Sequence, residues 1–165
     1  MARIVSFLTP LRGSIYLWSD AAIMPGAEWN REIDNAINTA QIAILLISPS
    51  YLSSPFIREI EIPKIFKLSQ AGKISVIPII LEPCLVENSP LSLIQSLNPP
   101  SDPLSRLPIE QRDKYLTKLA GLITERTIEG GMPTNTNNKT PDDPELYANI
   151  FFKAESSLKV AGEIK

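Results

Sequence analysis

Apolar and polar positions change period several times along the chain. Ile15, Tyr16, Leu17 and Trp18 form a short β-prone run, and Asp, Pro and Gly in Ser19 to Gly26 signal a loop after it. From Glu28 the spacing becomes helical, with Trp29, Ile33, Ala36, Ile37 and Ala40 on one stripe and polar residues between them. Ile42 to Ile47 is apolar without alternation, the pattern of a central strand in a parallel sheet covered on both faces. Ser48-Pro49-Ser50 ends it.

Ser54 reads as an N-cap with Pro55 at the first helical position, opening a helix that Pro63 must kink or restart and Gly72 closes. Ile74 to Leu81 is a second buried strand, in which Pro78 removes a ladder donor and so predicts an edge position or a bulge. A short helix is expected within Ser89 to Leu97, an irregular crossover from Asn98 to Pro108, and a helix from Pro108 to about Arg126 with Ile109, Leu116, Leu119, Ala120 and Ile123 on one face. Gly130 to Pro144, rich in Thr, Asn, Pro and Gly, reads as a linker. Leu146, Ile150, Ala154 and Leu158 then recur every four residues, which predicts a last helix. The division is a domain over 1–127, a linker over 128–144 and a C-terminal helix over 145–165. Strand and helix in alternation predict an α/β domain, a parallel sheet with helices on both faces.

Composition narrows the chemistry. The 165 residues are 44% hydrophobic and 21% charged, as expected of one globular domain. Sixteen basic and eighteen acidic residues leave a net charge of -2 with no basic cluster, which argues against nucleic acid as a partner. The apolar runs are strand-sized, far below the roughly 20 residues of a membrane helix, so no membrane partner is expected. There is no His, which removes Ser-His and Cys-His catalysis and most zinc sites. The single cysteine, Cys84, fits a reducing, cytoplasmic compartment.

Leu17-Trp18-Ser19-Asp20, Ile23, Pro25-Gly26, Trp29, Ile33, Ala36 and Ala40 resemble the loop and helix after the second strand of bacterial TIR (Toll/interleukin-1 receptor) domains. Ile42 to Ser48, Tyr51-Leu52, Ser54, Phe56-Ile57, Glu61-Ile62-Pro63 and Val76 to Ile79 resemble the segments that follow, in order and spacing. The resemblance implies a flavodoxin-like TIR fold. It also implies an opening strand with an aromatic-Ile-Ser-Tyr signature, for which about eleven residues before Gly13 leave no room. The expectation is an N-terminally truncated sheet lacking its first strand, with unpaired backbone groups that self-association or a partner would cover.

Many bacterial TIR domains cleave the nicotinamide–ribose bond of NAD with one essential carboxylate, and the resemblance implies that activity as an expectation. NAD would be a substrate; no cofactor and no metal are expected. The family's Glu often stands four residues after an aromatic, which here is Ile60 after Phe56. Glu61, in the Glu-Ile-Pro match, is therefore the first choice and Glu59 the second. They lie about 200° apart on a helix, so only one can face a pocket. The alternative is that both are solvated helix charges.

Trp18, Asp20, Ser48, Tyr51 and Phe56 are the candidate substrate-binding residues. Ser48 and Tyr51 follow a strand at the edge where open α/β sheets bind ligands, although Ser48 is equally a capping serine and Phe56 a core aromatic. Asp20, Pro25 and Gly26 form the candidate interaction loop, alternatively a plain βα connection, and Trp29 packs beneath its helix. Other TIR domains are the expected partners, with homo-oligomers on activation. Three readings stay open: a nicotinamide-releasing enzyme activated by assembly, a non-catalytic TIR interaction module used in signalling or defence, and a degenerate fragment.

Overall fold

The computed structural model describes residues 2–19, 23–129 and 148–153. Helix α1 (Ala2–Leu8) leads into strand β1 (Ile15–Ser19), then α2 (Trp29–Thr39), β2 (Ile42–Ile47) and the short α3 (Pro49–Ser53). A π-helical turn, Ile57–Glu61, runs into α4 (Ile62–Gln70), followed by β3 (Ser75–Ile80), 3-10 turns, α5 (Ile109–Glu129) and β4 (Ala148–Lys153). The four strands are parallel in the order β1-β4-β2-β3. If β4 is counted first, this is the 2-1-3-4 order of flavodoxin-like sheets.

Two sequence expectations need correction here. Residues 148–153 form a strand, not part of a C-terminal helix, and that strand fills the central position that the truncated sheet was expected to leave empty. Its pairing is continuous on both sides: Ile15 to Ser19 of β1 stand opposite Ala148 to Phe152, and Ile42 to Leu45 of β2 opposite Ile150 to Lys153. The physical reason is the Ile150-Phe151-Phe152 run, which places apolar side chains on both sides of the chain. A helix packed on one face would leave some of them in water, whereas a central strand buries all three. The last helix's other residues and most of the expected linker, 130–144, lie outside the described residues; 128 and 129 continue α5.

Alternation along each strand divides the core into two layers. Ile44 and Leu46 of β2, Ile77 and Ile79 of β3, and Ile150 and Phe152 of β4 pack against α1 and α5 through Ile4, Leu8, Leu116, Leu119 and Ile123. Ala43, Leu45, Ile47, Ile80 and Phe151 face the opposite side, where Ile33 and Ile37 of α2, Tyr51 of α3, Ile57 of the π turn and Ile65 of α4 cover them. Helices therefore lie on both faces. Phe151 and Phe152 enter different layers, and burying each contributes roughly 1.5–3 kcal/mol.

β3 is an edge strand, as Pro78 predicts, and the crossover seals it. Leu97 donates its N–H to the Pro78 carbonyl at 2.8 Å, and the buried Asn98 side chain accepts from Ile80 N and donates to Ile80 O, as a neighbouring strand would. Among the described residues no helix is long and apolar enough to cross a membrane.

Candidate site at the carboxyl edge of the sheet

Local sequence explains how the chain turns back after β2. Ser48 leaves the strand in extended conformation and accepts the Tyr51 N–H at 3.1 Å, capping α3 with Pro49 at its first position. Tyr51 is thereby held fully buried. Ser54 caps the following turn by accepting from Ile57 N at 3.4 Å.

From Phe56 the chain would run on as an α-helix, but Pro63 has no N–H to donate, and in an α-helix its ring would crowd the carbonyl of Glu59. The strain is taken up one turn earlier. Ile57–Glu61 widens to a π turn, with the Ile62 N–H reaching the Ile57 carbonyl, and Pro63 follows early in α4 rather than kinking it. A π turn holds one extra residue, so Glu61, five residues after Phe56, occupies the place a fourth residue would have in an α-helix. The displacement seen in the sequence is thus absorbed by the backbone. Gly72, at a φ of 68°, ends α4, with the Lys73 N–H on the Leu68 carbonyl.

Glu61 points inward and is completely buried, whereas Glu59 is on the surface beside Arg58 at 3.7 Å. The reading of both as solvated helix charges therefore holds for Glu59 and fails for Glu61. Lys153, the last residue of β4, places its Nζ 3.5 Å from Glu61 Oε2 and is itself fully buried. The Tyr51 hydroxyl donates to Glu61 Oε1 at a long 3.3 Å. Burial, then the Glu61 charge and this hydrogen bond, push the Tyr51 phenol well above its ordinary pKa, so it remains a donor.

Aromatic rings surround the pair. Lys153 Nζ lies 5.0 Å from the Trp29 ring centroid, within cation–π range, and Trp29 meets Phe56 at 4.7 Å in a tilted contact. Trp18 stacks on Phe151 at 5.4 Å and 14°, across the pairing of β1 with β4. The structure thus gathers Glu61, Tyr51, Phe56, Trp29 and Lys153 at the carboxyl ends of β4 and β2, with Ser48 holding Tyr51. That junction is where flavodoxin-like sheets bind ligands.

Two expected residues stand apart from the cluster. Pro25 and Gly26 form an exposed turn in which Gly26 takes a φ of 89°, and Asp20 lies outside the described residues. The sequence reading missed Lys153 entirely. The signal that could have found it was the unbroken Ile150-Phe151-Phe152 run, which suits a buried strand as well as a helix.

Electrostatically the site is closed. The Glu61 carboxylate already faces an ammonium and a hydroxyl, so a cationic ligand could reach it only by displacing Lys153. A cavity of 530 Å³ is lined by Leu52, Arg58, Ile62, Cys84, Leu85 and Asn88 among others, and does not include Glu61.

The family model for the TIR domain matches residues 2–107, well over half of the chain. The chain belongs to the TIR domain family. An uncharacterized protein of Sinorhizobium fredii, y4lF, is 31% identical over 118 residues, covering 68% of this chain and 36% of the relative. The chain thus spans about a third of the length of that relative. No solved structure matches significantly. In this TIR domain the family match ends before β4, so the strand that completes the sheet and supplies Lys153 is a feature of the structure rather than of the matched segment.

Proposed function

We propose that this TIR domain signals by homotypic TIR assembly in the cytoplasm, and that Glu61 is the carboxylate of a nicotinamide-releasing site that opens when copies associate. One observation carries the reading: the π turn brings Glu61, and no other acidic residue of its helix, into the aromatic cluster at the carboxyl edge of the sheet. In hydrolysis of NAD the bond between ribose C1′ and the nicotinamide nitrogen breaks with its electron pair leaving on nitrogen. Nicotinamide departs neutral, and water adds its oxygen to C1′ and releases a proton. Positive charge develops on the ribose in between. A carboxylate in a dry, aromatic-walled site stabilises that charge strongly. Tyr51 would steady one Glu61 oxygen, and Trp29 or Phe56 would offer a ring to the base.

A second reading, a TIR module that assembles without chemistry, is favoured by the complete burial of Glu61 and its pairing with Lys153. Incubating the concentrated full chain with NAD and following nicotinamide separates the two. The catalytic reading expects release by the parent, loss of about 10²- to 10³-fold in Glu61→Gln and little change in Glu59→Ala. No release by a parent that demonstrably assembles would overturn it and leave the module. A chain that stays monomeric at high concentration, whatever is changed at Asp20 or Pro25, would overturn the assembly itself.

A further inference from the structure

The sheet depends on a strand that arrives last. β1 and β2 make no ladder with one another; β4 lies between them and pairs with both. Without β4 they would be two facing edges roughly 9.5 Å apart, twice the usual strand spacing. Such a gap would expose both core layers at once, because Ile150 and Phe152 fill one and Phe151 the other. The slot therefore has to be filled by a strand, and its walls do not distinguish whose strand it is.

We propose that two copies of this chain exchange β4, so that each copy's buried Glu61 is met by Lys153 of the other copy. Residues 130–147 connect α5 to β4, and a connection of that length spans at most about 60 Å, enough to reach a neighbour's slot as well as its own. Every contact in the slot is the same in either arrangement, so the balance between them is set by concentration. An intramolecular strand on a short linker competes at an effective concentration of order millimolar. Exchange is thus rare in dilute solution and becomes comparable to self-closure where copies are crowded, as in an assembly. Swapping an identical element is a low-cost route to dimers for the same reason. The partner copy then contributes a residue to the site, and this inference stands whether or not nicotinamide is released.

The buried ion pair gives the test. Full-length Glu61→Lys and Lys153→Glu variants each bury two like charges in their own slot and are expected to lose thermal stability. Exchanged reciprocally between the two variants, the strands restore an opposite-charge pair in both slots. Mixed near millimolar concentration, the two should form a heterodimer of twice the chain mass with Tm returned towards the parent. The chain carrying both substitutions is the control, since it can restore the pair alone. If it folds while the mixture stays two destabilised species, or pairs without recovering Tm, the proposal is overturned. If the reversed pair does not fold even in the control, the parent decides: refolded from urea at about millimolar concentration and then diluted, it should retain dimers that separate only as slowly as the domain unfolds. Monomer alone under those conditions overturns the exchange.

Discussion

Lys153 and Glu61 meet 3.5 Å apart with both side chains fully buried, one from the last strand of the sheet and the other from the π turn before α4. The pair ties β4 to the helical layer over β2. Because charges of this kind are costly to strip of water, what matters is the loss when only one is left.

Lys153→Met should therefore lower unfolding free energy by about 3–5 kcal/mol, since it strands the Glu61 charge. Combining it with Glu61→Leu should cost far less than the sum of the two single changes, because each single change strands a buried charge and the double change leaves none. Urea unfolding of the four chains measures the coupling. Additive losses would show that the two side chains do not act as a pair.

The π turn makes a sharper claim. Deleting Ile60, which is half exposed, places the glutamate four residues after Phe56 and would let the segment become α-helical. Pro63 would then sit in a helix interior, at a cost of about 3 kcal/mol. The deletion alone should be destabilising by that order, and the deletion together with Pro63→Ala should recover to within about 1 kcal/mol of the parent. Equal stability of the two variants would show that Pro63 is not what widens the turn.

These two features mark the limit of what was legible in the sequence. The order of β1, α2, β2, α4 and β3 followed from local periods, and the edge position of β3 from Pro78, because each depends on a single segment's burial. The choice of Glu61 over Glu59 came from resemblance to the family; its inward position depends on a backbone widening that residue spacing does not encode. β4 was misread because Leu146, Ile150, Ala154 and Leu158 share a four-residue spacing, while the competing evidence, three adjacent apolar residues, is too short to separate strand from helix. What decided it was a gap two other strands had left.

Tyr51 predicts an alkaline limit to stability. Its folded pKa is raised, so the fold favours the protonated phenol; the stabilisation is complete below the ordinary value of 10.0 and is lost as pH rises from there through the folded pKa. Above pH 10 the parent should lose stability more steeply than Tyr51→Phe, which has no proton to lose. The Phe variant should be weaker at neutral pH by about 0.5–1.5 kcal/mol, the usual contribution of one hydrogen bond. Parallel slopes for the two chains above pH 10 would remove Tyr51 from the explanation.

Cys84 offers a final measurement on the flank of the site. Its thiol is partly buried at the 530 Å³ cavity, and burial first, then the charges of Glu87 and Glu82, raise its pKa, with a bond from Val86 opposing them. The thiolate is the reactive form, so the folded chain should react with iodoacetamide more slowly at pH 8 than an unhindered thiol of ordinary pKa. Replacing both acids, as Glu82→Gln with Glu87→Gln, should speed the reaction and shift its pH profile downward, because the charges act without touching the sulfur. Faster reaction with an unshifted profile would mean that the substitutions had merely opened the loop, leaving burial as the whole cause of the thiol's inertness.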